Sequence, residues 1–174
     1  MCYNTYYQYG LRPDRKDGYS MDLEQCLQQE QLYQFRNFSH ADAWELGCAL
    51  VSACAEMEGP LAVEIELNHV LIFRFYPDGT GKFHEQWLRR KRNIVNTMEK
   101  SSLRCKFELA QSGEDLARDW CLDPMQYAAC GGGFPIRLRG GSVIGAIAVS
   151  GLPDLRDHAA LIEGLRRYFE KYPQ

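Results

Sequence analysis

The chain has no run of about twenty apolar residues, no excess of basic charge and no C-x-x-C pair, and each absence removes a class of function. Without a long apolar run there is no candidate membrane helix. The first twenty residues are polar and tyrosine-rich and lack the apolar centre of a signal peptide, so the sequence predicts a cytoplasmic protein with no membrane partner. A formal net charge of -3 supplies no positive field for a phosphate backbone, and nucleic acid is not an expected partner. The cysteine count is seven, an odd number, and most of these cysteines sit in apolar periodic segments, which argues for reduced thiols over a disulfide framework. His40, His69, His84 and His158 show no H-x-x-x-H spacing and have no cysteine pair nearby, so no metal site is predicted. No G-x-G-x-x-G occurs for a nucleotide, and the turn Val149-Ser150-Gly151-Leu152-Pro153 is not G-x-S-x-G.

What the sequence does contain is an ordinary globular composition, 45% hydrophobic and 25% charged over 174 residues, the size of one domain with its own core. Residues 1–20 carry neither helical nor strand periodicity and read as an irregular arm, leaving 21–174 as a single domain. A short helix is expected over Met21–Tyr33, and a stronger one begins after Ser39 and ends at Gly59-Pro60. Leu61, Val63, Ile65 and Leu67 alternate with Glu64 and Glu66, the period of a strand with one solvated face. Asn68-His69 then turns the chain into Val70–Tyr76 as an antiparallel hairpin. Helices follow over about 83–98 and 114–120. A second hairpin pairs Phe134–Arg139 with Val143–Val149, whose continuous apolar run predicts a central strand covered on both faces. The last helix starts at Pro153-Asp154 and presents Leu155, Ala159, Ile162, Leu165 and Phe169 as its buried stripe. The expected fold is α/β in the α+β sense: an antiparallel sheet of two hairpins flanked by helices, like profilin or PAS domains.

The basic run Trp87-Leu88-Arg89-Arg90-Lys91-Arg92-Asn93 mostly reads as a solvated helix face. At about 100° per residue, Trp87, Leu88, Ile94, Val95 and Met98 form one apolar face, with Arg89, Arg90, Arg92, Asn93 and Asn96 pointing elsewhere. Lys91 breaks this division. It projects from the middle of the apolar stripe, with His84 in nearly the same direction two turns earlier. A lysine so placed must snorkel to water, pair with a carboxylate, or line a pocket with a shifted pKa. Gly131-Gly132-Gly133 removes three side chains in succession just before a strand, which suits a tight loop, a subunit contact or a backbone-lined small-molecule site. Cys130 beside it is read as an inert thiol and His158 as a helix-start histidine.

Five segments together resemble one family. Trp44-Glu45-Leu46-Gly47, Trp87 to Lys91, Leu122-Asp123-Pro124 with Tyr127-Ala128-Ala129, Gly131 to Ile136, and Val149 to Pro153 with Asp157-His158 are similar to the uncharacterised branch of the haem-degrading-like (GlcG-like, HbpS-like) family, over about Ser39–Phe169. The resemblance implies a helix-flanked antiparallel sheet and homo-oligomers often assembled from dimers. It also implies that the family's recurrent polar positions fall on Arg89, Arg90, Lys91, the glycine run and His158. The chain departs from relatives in its Asn68-His69 turn, where asparagine-glycine is common, and in its N-terminal arm. The resulting expectation is a homo-oligomeric small-molecule-binding protein with ligand-binding residues Lys91, His84, Arg90, Gly131, Gly132, Gly133 and His158. The alternatives are a haem-binding or haem-degrading protein, with haem as cofactor, and an oligomeric scaffold for another protein.

Overall fold

The structure, a computed structural model, describes residues 21–173; the arm expected over residues 1–20 lies outside the described residues. The element order is α1 (Leu23–Leu32), α2 (His40–Ala55), β1 (Ala62–Leu67), β2 (Val70–Phe75), α3 (Lys82–Met98), α4 (Ser102–Ser112), β3 (Gly133–Arg137), β4 (Val143–Ser150) and α5 (Asp154–Lys171). This is the expected sequence of helices, hairpin, helices, hairpin, helix.

Local chemistry explains most boundaries. Asp22 and Gln25 form a reciprocal capping box at α1, and Ser39 and Asp42 do the same at α2, each satisfying backbone N–H groups that have no partner inside the helix. Asn68 and His69 both take positive φ, 48° and 64°, the left-handed pair that a two-residue hairpin turn requires. The Gly81 N–H donates to His84 Nδ1 at 3.1 Å and so closes the start of α3.

The four strands lie in the order β2-β1-β4-β3, every neighbouring pair antiparallel. The two hairpins therefore join along a β1–β4 seam, from Ala62 opposite Ser150 to Leu67 opposite Gly145. Because residues alternate across a strand, Val63, Ile65, Ile147 and Val149 face one side, where α2 and α5 pack with Leu46, Leu50, Leu161, Leu165 and Tyr168. The other side is covered by α3, with Leu88 packed on Ala62 and Ala148. The outer edge of β3 is occupied by Phe35: its N–H donates to the Arg137 carbonyl, and its own carbonyl accepts from Arg139 N–H, both at 2.9 Å.

Several expectations need correction. β1 has no solvated face, because it is an inner strand and all six of its residues are buried. Arg92, expected on the solvated side of its helix, is buried against Glu64 and Glu66. Residues 114–120 form turns, and the helix lies earlier, at Ser102–Ser112. Asp115 explains the turn: its carboxylate accepts from the N–H groups of Ala117 and Arg118, both at 2.9 Å, in competition with helical bonding. α2 ends at Ala55, short of Gly59-Pro60. The buried stripe of α5 is Asp157, His158, Ala160, Leu161, Gly164, Leu165 and Tyr168, so of the expected stripe only Leu165 is fully covered.

Candidate functional site

The amphipathic pitch of α3 carries Lys91 onto the sheet, where its side chain is 2% exposed. Its ammonium donates to Asp157 Oδ2 at 2.6 Å and to the Val149 carbonyl of β4 at 2.9 Å. Asp157, also 2% exposed, sits in the first turn of α5, and its other oxygen accepts from Leu152 N–H at 2.8 Å. One ion pair thus ties together α3, the end of β4, the following turn and α5. Burial alone pulls a lysine's pKa down; here the acidic groups around it, Asp157 foremost, together outweigh burial and hold the ammonium above its ordinary value. Of the three alternatives for this lysine, the geometry is that of the buried pair.

The glycine run lies on the same junction. Gly132 has φ of +104°, and a Cβ there would meet the Val149 carbonyl oxygen and stand 2.8 Å from Lys91 Nζ. A Cβ on Gly131 would strike the Asp154 carbonyl, and one on Gly133 would lie 2.8 Å from Ser102 Oγ. Three missing side chains let this strand entry press against α5, α3 and α4 together. Gly133 N–H donates to Ser102 Oγ at 2.8 Å and Gly131 N–H to Asp154 Oδ2 at 3.3 Å. Asp154 also pairs with Lys106 at 2.6 Å; burial works to raise its carboxyl, but Lys106, the Gly131 N–H and Lys91 together outweigh that and keep it below the ordinary carboxylate value.

His158 is 1% exposed, its Nε2 lying 2.9 Å from Gln29 Oε1 and its Nδ1 without a partner among the described residues. Burial lowers its pKa to about 4, so the ring is neutral near pH 7. Burial likewise raises the Cys130 thiol, although Lys91 works to lower it, and the sulfur is held as a thiol. Among the described residues no three His, Cys, Asp or Glu side chains come together in a way that could hold a metal ion.

The structure therefore brings together Lys91, Gly131, Gly132, Gly133 and His158, and adds Asp157, Asp154, Lys106 and Ser102, which the sequence reading did not place there. It does not bring in His84 or Arg90. His84 caps the start of α3 seven residues, or roughly 10 Å of helix, from Lys91. Arg90 points away from the sheet and stacks on Trp87, its guanidinium carbon 4.1 Å from the ring centre. A second buried polar cluster was also missed: Arg92 pairs with Glu64 at 3.0 Å and with Glu66, Arg74 and the Tyr76 hydroxyl reach Glu64 at 2.7 Å, and Asn96 donates to Glu66. Here α3 and β2 neutralise the two β1 carboxylates, so burying them leaves no charge unpaired.

A family model described as haem degrading protein HbpS-like matches residues 38–166. A UPF0303 protein of Pseudomonas entomophila (strain L48) is 41% identical over 145 residues, 83% of this chain and 80% of the relative. Among solved structures, Ybr137w superposes with a TM-score of 0.75 at 23% identity, covering 85% of this chain and 88% of the other. A PduOC:haem complex superposes with a TM-score of 0.64 at 18% identity, covering 74% and 93%. At these identities the two structures establish the fold, the helix-flanked four-stranded sheet described above.

Proposed function

The chain belongs to the HbpS-like haem-degrading family, and on that premise we propose that it is a homo-oligomeric small-molecule-binding protein whose copies meet along β2. The observation that carries the assembly is the contrast between the two sheet edges. The β3 edge is filled by Phe35, whereas β2 is an outer strand with Val70 60%, Phe75 41% and Leu71 37% exposed. Trp44, 63% exposed, lies edge-on to Phe73 at 6.0 Å and extends the same apolar strip onto α2. An outer strand with apolar side chains is a template for another strand, and antiparallel pairing of β2 with itself about a two-fold axis satisfies both copies alike.

Binding in preference to catalysis is supported by the chemistry of the buried junction. Lys91 is committed to Asp157, His158 is neutral and buried, and Cys130 is a thiol, so none of the three is set as nucleophile or base. Haem is the ligand of the PduOC complex and the basis of the alternative reading. The exposed His40 and His69 are the candidate axial histidines, because His158 is buried with its Nε2 against Gln29, and His84 accepts the Gly81 N–H on Nδ1, which leaves its proton on Nε2.

Light scattering after size exclusion tests the assembly. The expected mass is at least twice the 20.0 kDa chain, falling to 20.0 kDa in a Val70→Lys, Phe75→Lys double variant whose melting temperature is unchanged. A 20.0 kDa wild-type particle at micromolar concentration would refute the assembly. Titration with hemin tests the alternative: a sharp Soret shift abolished by His69→Ala or His40→Ala would replace small-molecule binding in general by haem binding.

A further inference from the structure

Among the described residues seven arginines pair with carboxylates, whereas Arg89, Arg90, Arg137 and Arg139 pair with none. Arg92, Arg104 and Arg167 each pair with two carboxylates. Within the group that has no carboxylate, Arg90 is set apart by a covered Nε–H that has no acceptor among the described residues. It stacks on Trp87, which in turn meets Phe83 edge-to-face with centroids 6.3 Å apart and planes at 76°. Residues 83, 87 and 90 follow the i, i+4, i+7 spacing of one helix face, so the three side chains form a continuous stripe along the outside of α3. Phe83 is 67% exposed.

The stripe rests on a fixed base. The Arg90 carbonyl accepts from Ala128 N–H at 3.1 Å, and Asn93 donates to the Gln126 carbonyl at 2.8 Å, which pins the segment 123–129 alongside it. Met125 in that segment is 55% exposed. By contrast, the open groove of about 450 Å³ beside Met98 and Trp120 has its charged groups and its indole N–H already engaged, Lys100 with Glu108 at 2.9 Å and Trp120 with Glu114 at 3.0 Å. The α3 stripe combines an exposed aromatic surface with an unneutralised planar cation.

We infer that the Phe83–Trp87–Arg90 stripe binds a flat aromatic carboxylate, its ring against Phe83 and the free edge of Trp87 and its carboxylate on the terminal nitrogens of Arg90. Guanidinium and carboxylate match as a two-pronged charge-assisted pair. Size favours a small ligand over a protein: two aromatic side chains offer at most about 300–500 Å², against the roughly 800 Å² per partner of a stable protein interface. The inference rests on the small-molecule part of the proposed function and is independent of assembly along β2.

Calorimetric titration of the full chain with 2-naphthoate, and with neutral naphthalene-2-methanol as the matched probe, tests it. The expected result is saturable binding of 2-naphthoate at one site per chain. Arg90→Met should weaken it tenfold or more, to the level of the neutral probe, which wild type and variant bind alike. Phe83→Ala should weaken both probes, with melting temperature and assembly unchanged in either variant. Equal affinity of wild type for the two probes, or 2-naphthoate binding undiminished in Arg90→Met, would overturn the site. Hemin bound equally by wild type and Arg90→Met, with no 2-naphthoate bound, would overturn the site and sustain the small-molecule reading. Failure of all three probes on folded, assembled protein would overturn both.

Discussion

Replacing Lys91 with methionine keeps the unbranched stem that packs beneath α3 and removes only the ammonium, leaving Asp157 as a carboxylate that is 2% exposed and retains one backbone donor, Leu152 N–H. Removing one partner of a buried ion pair typically costs about 3–5 kcal/mol, because the remaining charge is desolvated without compensation. For a chain of this length each kcal/mol lowers Tm by roughly 2–4 °C, so the expected loss is on the order of 6–20 °C. Arg90→Met, on the outer face of the same helix, should change Tm by little. Adding Asp157→Asn to Lys91→Met removes the stranded charge while keeping an oxygen for Leu152 N–H, and much of the loss should return. The pH dependence has a definite sign. Without Lys91, burial raises the folded pKa of Asp157 above its unfolded value of about 3.9; the deficit is then full at neutral pH and shrinks as pH falls through the raised value. Thermal and urea melts of the three variants between pH 4.5 and 8 measure all of this. A Lys91→Met protein within about 1 kcal/mol of wild type, or one whose deficit does not shrink on acidification, would refute the ion-pair account.

His158, with its pKa lowered to about 4, takes up a proton in the unfolded chain before it does so in the folded one. Stability should therefore fall as pH drops from about 6.5 towards 4, by about 3 kcal/mol in all, and His158→Gln should flatten that slope in urea melts; parallel slopes would refute it. Gly132→Ala forces a side chain to a φ of +104° and against the Val149 carbonyl, and should cost upwards of about 2 kcal/mol. Gly140→Ala, at a φ of +64° with nothing near the added carbon, should cost only the left-handed backbone penalty of about 1–2 kcal/mol; equal melting of the two variants would count against the close packing of the glycine run.

The element order, the positive-φ hairpin at Asn68-His69 and the central position of β4 were legible because each follows from short-range chemistry: period, turn residues and an unbroken apolar run. Lys91 was legible as a conflict within one helix, but its partner Asp157 lies 66 residues away and read as no more than a favourable helix-start charge. Two misreadings share one cause. Glu64 and Glu66 made β1 look half-solvated, and Arg92 looked like part of a solvated face; each hides the other, because both are buried only as a pair. The apolar letters of α5 alone point to a rotated stripe, since the packed face includes Asp157, His158 and Gly164, which lies directly against Leu50. The helix Ser102–Ser112 carries its own sequence signals, Ser101 at the cap and Gly113 just past its end, where φ is +72°.

The seam between the hairpins also orders events in time. β1 and β2 are joined by two residues and can pair as soon as both exist, but the inner edge of β1 must wait for β4, whose first residue lies some eighty positions along the chain. Closing so long a loop is entropically slow, and until it closes β1 presents an unpaired edge carrying Val63 and Ile65. Charged side chains on a waiting edge discourage pairing with a neighbouring chain. Glu64 and Glu66, which in the finished molecule are tolerated because Arg92 and Arg74 pair with them, put two charged side chains on that edge for as long as it waits.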